Sequence, residues 1–319
     1  MHIVRKLKTT ELPMLTELFN YKDVDDDTIS TYKKGVNNFR AWIKKNNKTL
    51  INKQTLIEYK HHLEASYRNT TASVYFTGVR VFFSFLTELG YPNLTLNIKG
   101  VKVEKVFRKQ ALTKNQALLL QDTYTNKKDL SLLEKRNYLI FSLMLRNGLR
   151  VSELVRANIS DIKTINGKTI LYIQGKGKKD KTQPAVIEEG AYIPLISYLN
   201  ARKGDNFEPL FISLATNHYG SRLTARSISR EMKKIFIANG LESDDITAHS
   251  LRHTAITFDI LGGATLQEAQ ALARHTDINT TLIYSHNMDR IKNAPEQYIE
   301  QFLKEREENI ENGKDNNNM

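Results

Sequence analysis

The sequence predicts a mainly α-helical protein of two domains, an all-helical one followed by a mixed α+β one built around a small antiparallel sheet. Three observations carry this. Apolar residues recur at helical spacing over most of the chain. Strand-like segments are confined to positions between 162 and 187, around an Asn166-Gly167 hairpin signal. The length of 319 residues accommodates two cores, and the helical periodicity fades between Pro92 and Gln110.

From Asp27 onward Ile29, Tyr32, Val36, Phe39 and Ile43 trace a helix, with Trp42 beside them and Asp25, Asp26 and Asp27 where a helix N-terminus favours negative charge. A second helix follows Asn52 and carries Leu56, Tyr59 and Leu63. A third starts near Thr71, carries Val74, Tyr75, Val79, Phe82, Phe83 and Leu86, and ends before Gly90 and Pro92. These aromatics are read as ordinary core. Lys33, Lys34, Arg40, Lys44 and Lys45 lie among them as a basic face.

The helical domain is assigned to residues 1–95 and a basic linker to 96–111, where Lys99, Lys102, Lys105, Arg108 and Lys109 come at close intervals. A solvated tether and a segment lying along a polyanion both explain those charges. Thr113 reads as the N-cap of the helix that opens the second domain, residues 112–305. A helix over 129–147 follows, closed by Gly148. Strands are expected over 162–165, 169–173 and, after the lysine-rich turn GKGKKDK, 183–187. Helices resume after Glu188, including one over 225–239 closed by Gly240, and 306–319 is a polar tail.

The formal charge of +12 points to a polyanion, most often nucleic acid. An acidic membrane surface is the competing partner, but no amphipathic anchor is evident and no apolar run approaches the roughly 18 residues of a bilayer span. The first twenty residues lack a signal peptide's layout, and the chain has no cysteine. Neither a disulfide framework nor a thiolate metal site is therefore available. A soluble, cytoplasmic protein is expected.

Reactive side chains concentrate between Thr247 and His286, which open with TAHSLRHTAIT and close with LARHTDINTTLIYSH. On a helix His249 and Arg252 share one face, and His275 and Tyr284 follow. With Arg150, in LRNGLRVSEL, they offer two cations, two imidazoles and a phenol, a set suited to a phosphodiester. Singly each is weak: Arg150-x-x-Glu153 is usually a surface ion pair, and a turn holding Lys176 and Lys178 is usually just solvated. His249 and His253, four apart, raise zinc, but no glutamate or thiolate accompanies them and Arg252 stands between.

In order and spacing these segments resemble the tyrosine recombinase (phage-type integrase) family, in its simpler two-domain, Xer-like layout. LRNGLRVSEL is similar to its first arginine box, GKGKKDKTQP to its β-hairpin lysine segment, HSLRHTAIT to its His-x-x-Arg box, and LARHTDINTTLIYSH to its terminal histidine and nucleophilic tyrosine. The resemblance implies a SAM-like core-site-binding domain at the N-terminus and a catalytic domain after it. It implies Tyr284 as nucleophile, Arg150 and Arg252 as phosphate clamp, Lys176 as general acid, His249 as proton exchanger, His275 as hydrogen-bond donor and Glu153 as the residue orienting them. Double-stranded DNA with a specific core site is the implied partner, bound by a homotetramer on two sites, with an accessory protein possible. Lys33, Lys34, Arg40, Lys44, Lys105, Arg108, Lys178, Lys179 and Lys181 are the candidate DNA contacts. No metal or cofactor is expected. A stripe of Tyr298, Ile299, Phe302 and Leu303 either docks onto a neighbouring protomer or packs on its own domain.

Two positions depart from the family pattern: Arg274 replaces the usual glycine before the third-box histidine, and Asn147 stands where threonine is common. The rival readings are a type IB topoisomerase, which shares the tyrosine chemistry without exchanging partners, and a non-catalytic DNA-binding protein on the same fold. A complete reactive set argues against the latter.

Overall fold

The computed structural model describes residues 7–9, 26–103, 110–175, 178–282 and 284. Lys105, Arg108, Lys176, the 298–303 stripe and the polar tail lie outside them. The chain divides into two compact units, Met1–Val106 and Phe107–Met319. No helix among the described residues is long and apolar enough to cross a membrane.

The first unit holds α1 (Asp26–Lys45), α2 (Lys53–Ser66) and α3 (Asn69–Glu88). Asn52 caps α2, its side chain accepting from the Thr55 N–H at 2.9 Å. Phe39, Trp42, Tyr59, Phe76, Phe82 and Phe83 form the core, with Tyr59 against Phe39 and Trp42 at ring distances of 4.8 and 5.4 Å. The buried Tyr59 hydroxyl donates to Asn38 Oδ1 at 2.8 Å. Helices α1 and α3 touch backbone to backbone: a Cβ on Gly35 would stand 2.6 Å from the Tyr75 carbonyl oxygen, and one on Gly78 2.8 Å from that of Tyr32.

Three features depart from the sequence reading. This unit is not purely helical, because β1 (Leu7–Lys8) pairs antiparallel with β2 (Leu50–Ile51). Two residues per strand are too few to show a period. Val74 is exposed, since it falls on the side of α3 opposite Phe76, Val79 and Phe83. Ile98 and Val101, inside the segment expected to be linker, are buried in this core.

In the second unit α4 (Lys114–Thr125) is capped by Thr113, which exchanges bonds with Gln116. Helix α5 (Leu132–Arg146) begins three residues later than expected, because Ser131 and Glu134 form a reciprocal cap there. It packs against α7 (Glu189–Arg202) and α9 (Ala248–Leu261) through Leu139, Leu143, Leu195 and Leu251. After α5 the chain turns at Gly148 (φ +58°) into α6 (Val151–Arg156).

The sheet runs β3 (Ile162–Ile165), β4 (Lys168–Ile173), β5 (Gln183–Ile187), antiparallel throughout. Asn166 and Gly167 both take positive φ, as a tight primed turn demands. Helix α8 (Ala225–Ala238) precedes α9 and α10 (Leu266–Ala273), and the segment bearing His275 and Tyr284 follows, with residues 279–282 and 284 again helical.

Candidate active site

Arg150 occupies the N-cap of α6, and Glu153 sits three residues on, with its carboxylate turned back. One oxygen, Oε2, accepts the Arg150 backbone N–H at 2.8 Å, and the other, Oε1, pairs with Arg150 Nη1 at 2.7 Å. Glu153 is 1% exposed, so this is not the solvated ion pair that Arg-x-x-Glu usually signals. The Arg150 guanidinium remains part-exposed and aimed by the carboxylate beneath it.

Arg252, on α9, is 2% exposed and donates Nη1 to the Gly148 carbonyl and Nη2 to that of Ala273. A buried guanidinium must find acceptors, and these two tie the turn after α5 to the end of α10. Burial above all, then Arg150, pushes its pKa down to about 9, which still leaves it cationic at neutral pH.

Arg274 caps α10 in the left-handed region (φ +51°), a conformation that glycine adopts with the least strain. Its guanidinium folds inward, with Nη2 3.2 Å from Glu153 Oε2 and 3.1 Å from the Gly148 carbonyl oxygen. His275 follows, its Nδ1 2.9 Å from the Thr281 hydroxyl. Burial, reinforced by Arg252, Arg150, Arg274 and His249, pushes His275 down to about 4, so the ring is neutral at physiological pH.

Tyr284 is 6% exposed, and its hydroxyl hydrogen-bonds to Nδ1 of His253. Burial pushes the phenol up to about 12, although Arg252 and Arg150 pull the other way. The phenol is therefore protonated at neutral pH, with its hydroxyl on the His253 ring nitrogen. The His253 ring in turn meets that of His249 edge-on at 4.5 Å. His249 itself is exposed.

Arg150, Glu153, Arg252, His275 and Tyr284 thus converge, with His249 one ring away from the phenol's partner. Two participants were missed. From the sequence His253 reads only as a possible zinc ligand, although its helical spacing from His249, four residues along α9, is a signal that the two rings meet. Arg274 reads from the sequence as a departure from the family pattern, and nothing local indicates its partners.

Among the proposed DNA contacts, Lys178 and Lys179 are exposed beside β5. Lys181 instead binds Asp161 at 2.6 Å. On α1 Lys33, Arg40 and Lys44 fall on one stripe, and Lys34 lies on the other flank of the buried face.

Comparison with known proteins gives a consistent set of relatives. The family described as phage integrase matches residues 110–290. The tyrosine recombinase XerD of Oceanobacillus iheyensis is 28% identical over 293 residues, spanning 87% of this chain and 93% of that one. The structure of the XerH site-specific recombinase bound to palindromic difH substrate, a post-cleavage complex, matches with a TM-score of 0.70 at 20% identity, over 90% of this chain and 84% of the other. A lambda integrase tetramer bound to a Holliday junction matches at 0.67 and 16%, over 88% and 78% respectively. At such identities the structural likeness establishes the fold.

Proposed function

The chain belongs to the phage integrase family, and on that footing we propose that it is a tyrosine-type site-specific DNA recombinase with Tyr284 as its nucleophile. The observation that carries this reading is the placement of the Tyr284 phenol in the field of Arg252 and Arg150, within hydrogen-bond reach of the His253 Nδ1.

The phenolic oxygen attacks the scissile phosphorus. The bond to the 5′-oxygen breaks, leaving a 3′-phosphotyrosine and a free 5′-hydroxyl. The two guanidiniums stabilise the charge that builds on the non-bridging oxygens. The phenol's proton passes to the imidazole pair, through His253 toward the exposed His249. Lys176 delivers a proton to the departing 5′-oxygen. His275, neutral with Nδ1 on Thr281, offers its other nitrogen to a phosphate oxygen. Because the broken bond is stored as a protein ester, rejoining needs no nucleotide triphosphate. Attack by a 5′-hydroxyl from a second duplex makes the product recombinant.

Double-stranded DNA with a defined core site is the substrate in this reading. The α1 stripe and Lys178 and Lys179 provide phosphate contacts, while Lys181, engaged with Asp161, is a poor one. Four protomers act on two sites, an assembly supported by the lambda integrase tetramer on its junction.

The test is strand exchange between two labelled duplexes carrying a site selected by the protein. Recombinant strands are expected. Relaxation of supercoils without any joining between duplexes would move the assignment to a topoisomerase-like activity.

A further inference from the structure

We infer that Arg274 positions Arg150 for the reaction, by sharing the Glu153 carboxylate with it and by tying the 147–150 turn to the end of α10. This rests on the recombinase reading of the same site.

The contacts are specific to this side chain. Arg274 donates Nη1 and Nη2 to the Asn147 carbonyl oxygen, each at 3.3 Å, and Nη2 to that of Gly148 at 3.1 Å. The same nitrogen reaches Glu153 Oε2 at 3.2 Å. Arg150 replies with Nη2 3.5 Å from the Arg274 carbonyl oxygen. Arg252 joins the same two turns through Gly148 and Ala273. Three guanidiniums therefore lace together the loop that carries Arg150 and the loop that carries His275.

Charge gives the arrangement its consequence. Glu153 paired with Arg150 alone would neutralise the guanidinium that must face a phosphate. Shared with Arg274, it holds Arg150 in place while the cluster of three arginines and one carboxylate keeps two positive charges. A phosphoryl transition state carries more negative charge than the ground state, so that surplus acts where the barrier is.

The arrangement does not favour stability. Residue 274 sits at φ +51°, where glycine is the least strained choice, and Arg274 Nε is buried with no acceptor among the described residues. A side chain kept against both costs fits a role in the reaction better than a role in the fold.

The experiment compares wild type, Arg274→Gly, Arg274→Lys and Tyr284→Phe in single-turnover formation of the covalent adduct, on a nicked duplex selected by the wild-type protein. Thermal midpoints and affinity for the intact duplex are measured in parallel. Arg274→Gly is expected to slow adduct formation about ten- to hundredfold, with affinity unchanged and the midpoint not lowered. Lysine, which returns a charge to Glu153 but cannot span both carbonyls, recovers part of the rate. The inference is overturned if Arg274→Gly reacts at the wild-type rate, if its loss tracks lost binding or a lowered midpoint, or if lysine does no better than glycine. A wild-type protein that forms no adduct overturns the recombinase reading, and this inference with it.

Discussion

The hydroxyl of Tyr284 is held by Nδ1 of His253, a residue one position beyond Arg252 and one helical turn from His249. The phenol is thereby buried, protonated and aimed before any DNA arrives. On the proposed mechanism, that imidazole removes the proton as the oxygen–phosphorus bond forms.

Replacing His253 with phenylalanine keeps a ring of similar bulk and removes the acceptor. Adduct formation is expected to fall about a hundredfold, in the range of a lost general base, while DNA affinity stays at the wild-type value. Single-turnover trapping measures the first and a binding titration the second. An unchanged rate would return the proton acceptor's role to His249 alone.

Glu153→Gln removes the carboxylate that Arg150 and Arg274 share while keeping its shape. Two guanidiniums, one almost wholly buried, then confront each other without a counter-charge. A loss of about 3–5 kcal/mol of stability is expected, the range for breaking one partner of a buried pair. Denaturant unfolding followed by helix signal reads it, and a loss below about 1 kcal/mol, as for a surface pair, would contradict the burial argument.

His275 sets a pH dependence of stability. Its folded pKa, about 4, lies below the ordinary value of 6.5, so the unfolded chain binds the proton more readily between them. The contribution is complete above about pH 6.5 and is lost progressively as the pH falls toward 4. The thermal midpoint of wild type should therefore fall faster than that of His275→Gln across this window. Parallel curves would show that the ring titrates normally in the folded protein.

Gly35→Ala and Gly78→Ala test the crossing of α1 and α3. Each new methyl would meet a backbone oxygen under 3 Å away, and backbone cannot yield as a side chain does. A cost of about 1–3 kcal/mol is expected despite alanine's better helix propensity. Chemical denaturation decides it, and a gain in stability at either site would mean that the helices lie farther apart.

The legible parts of this protein were the local ones. The N-cap at Thr113, the Asn166-Gly167 turn and the helical register of Phe39, Trp42 and Ile43 each depend on residues a few positions apart. Arg150 and Glu153, or His249 and Arg252, were likewise paired by helical spacing. What escaped the sequence depends on distant partners. Nothing local pairs Leu7 with Ile51, points Tyr284 at an imidazole 31 residues earlier, or turns Arg274 toward a carboxylate 121 residues upstream. Residue types gave the chemistry of the site, and the fold supplied who holds whom.

The most direct test of the central claim is covalent trapping on nicked duplex libraries in the presence of EDTA, with wild type beside Tyr284→Phe. The account predicts a denaturation-resistant protein–DNA adduct that disappears in the phenylalanine variant, and sequencing the trapped DNA identifies the site. Tight binding without an adduct on any library, or an adduct that survives loss of the Tyr284 hydroxyl, would contradict it.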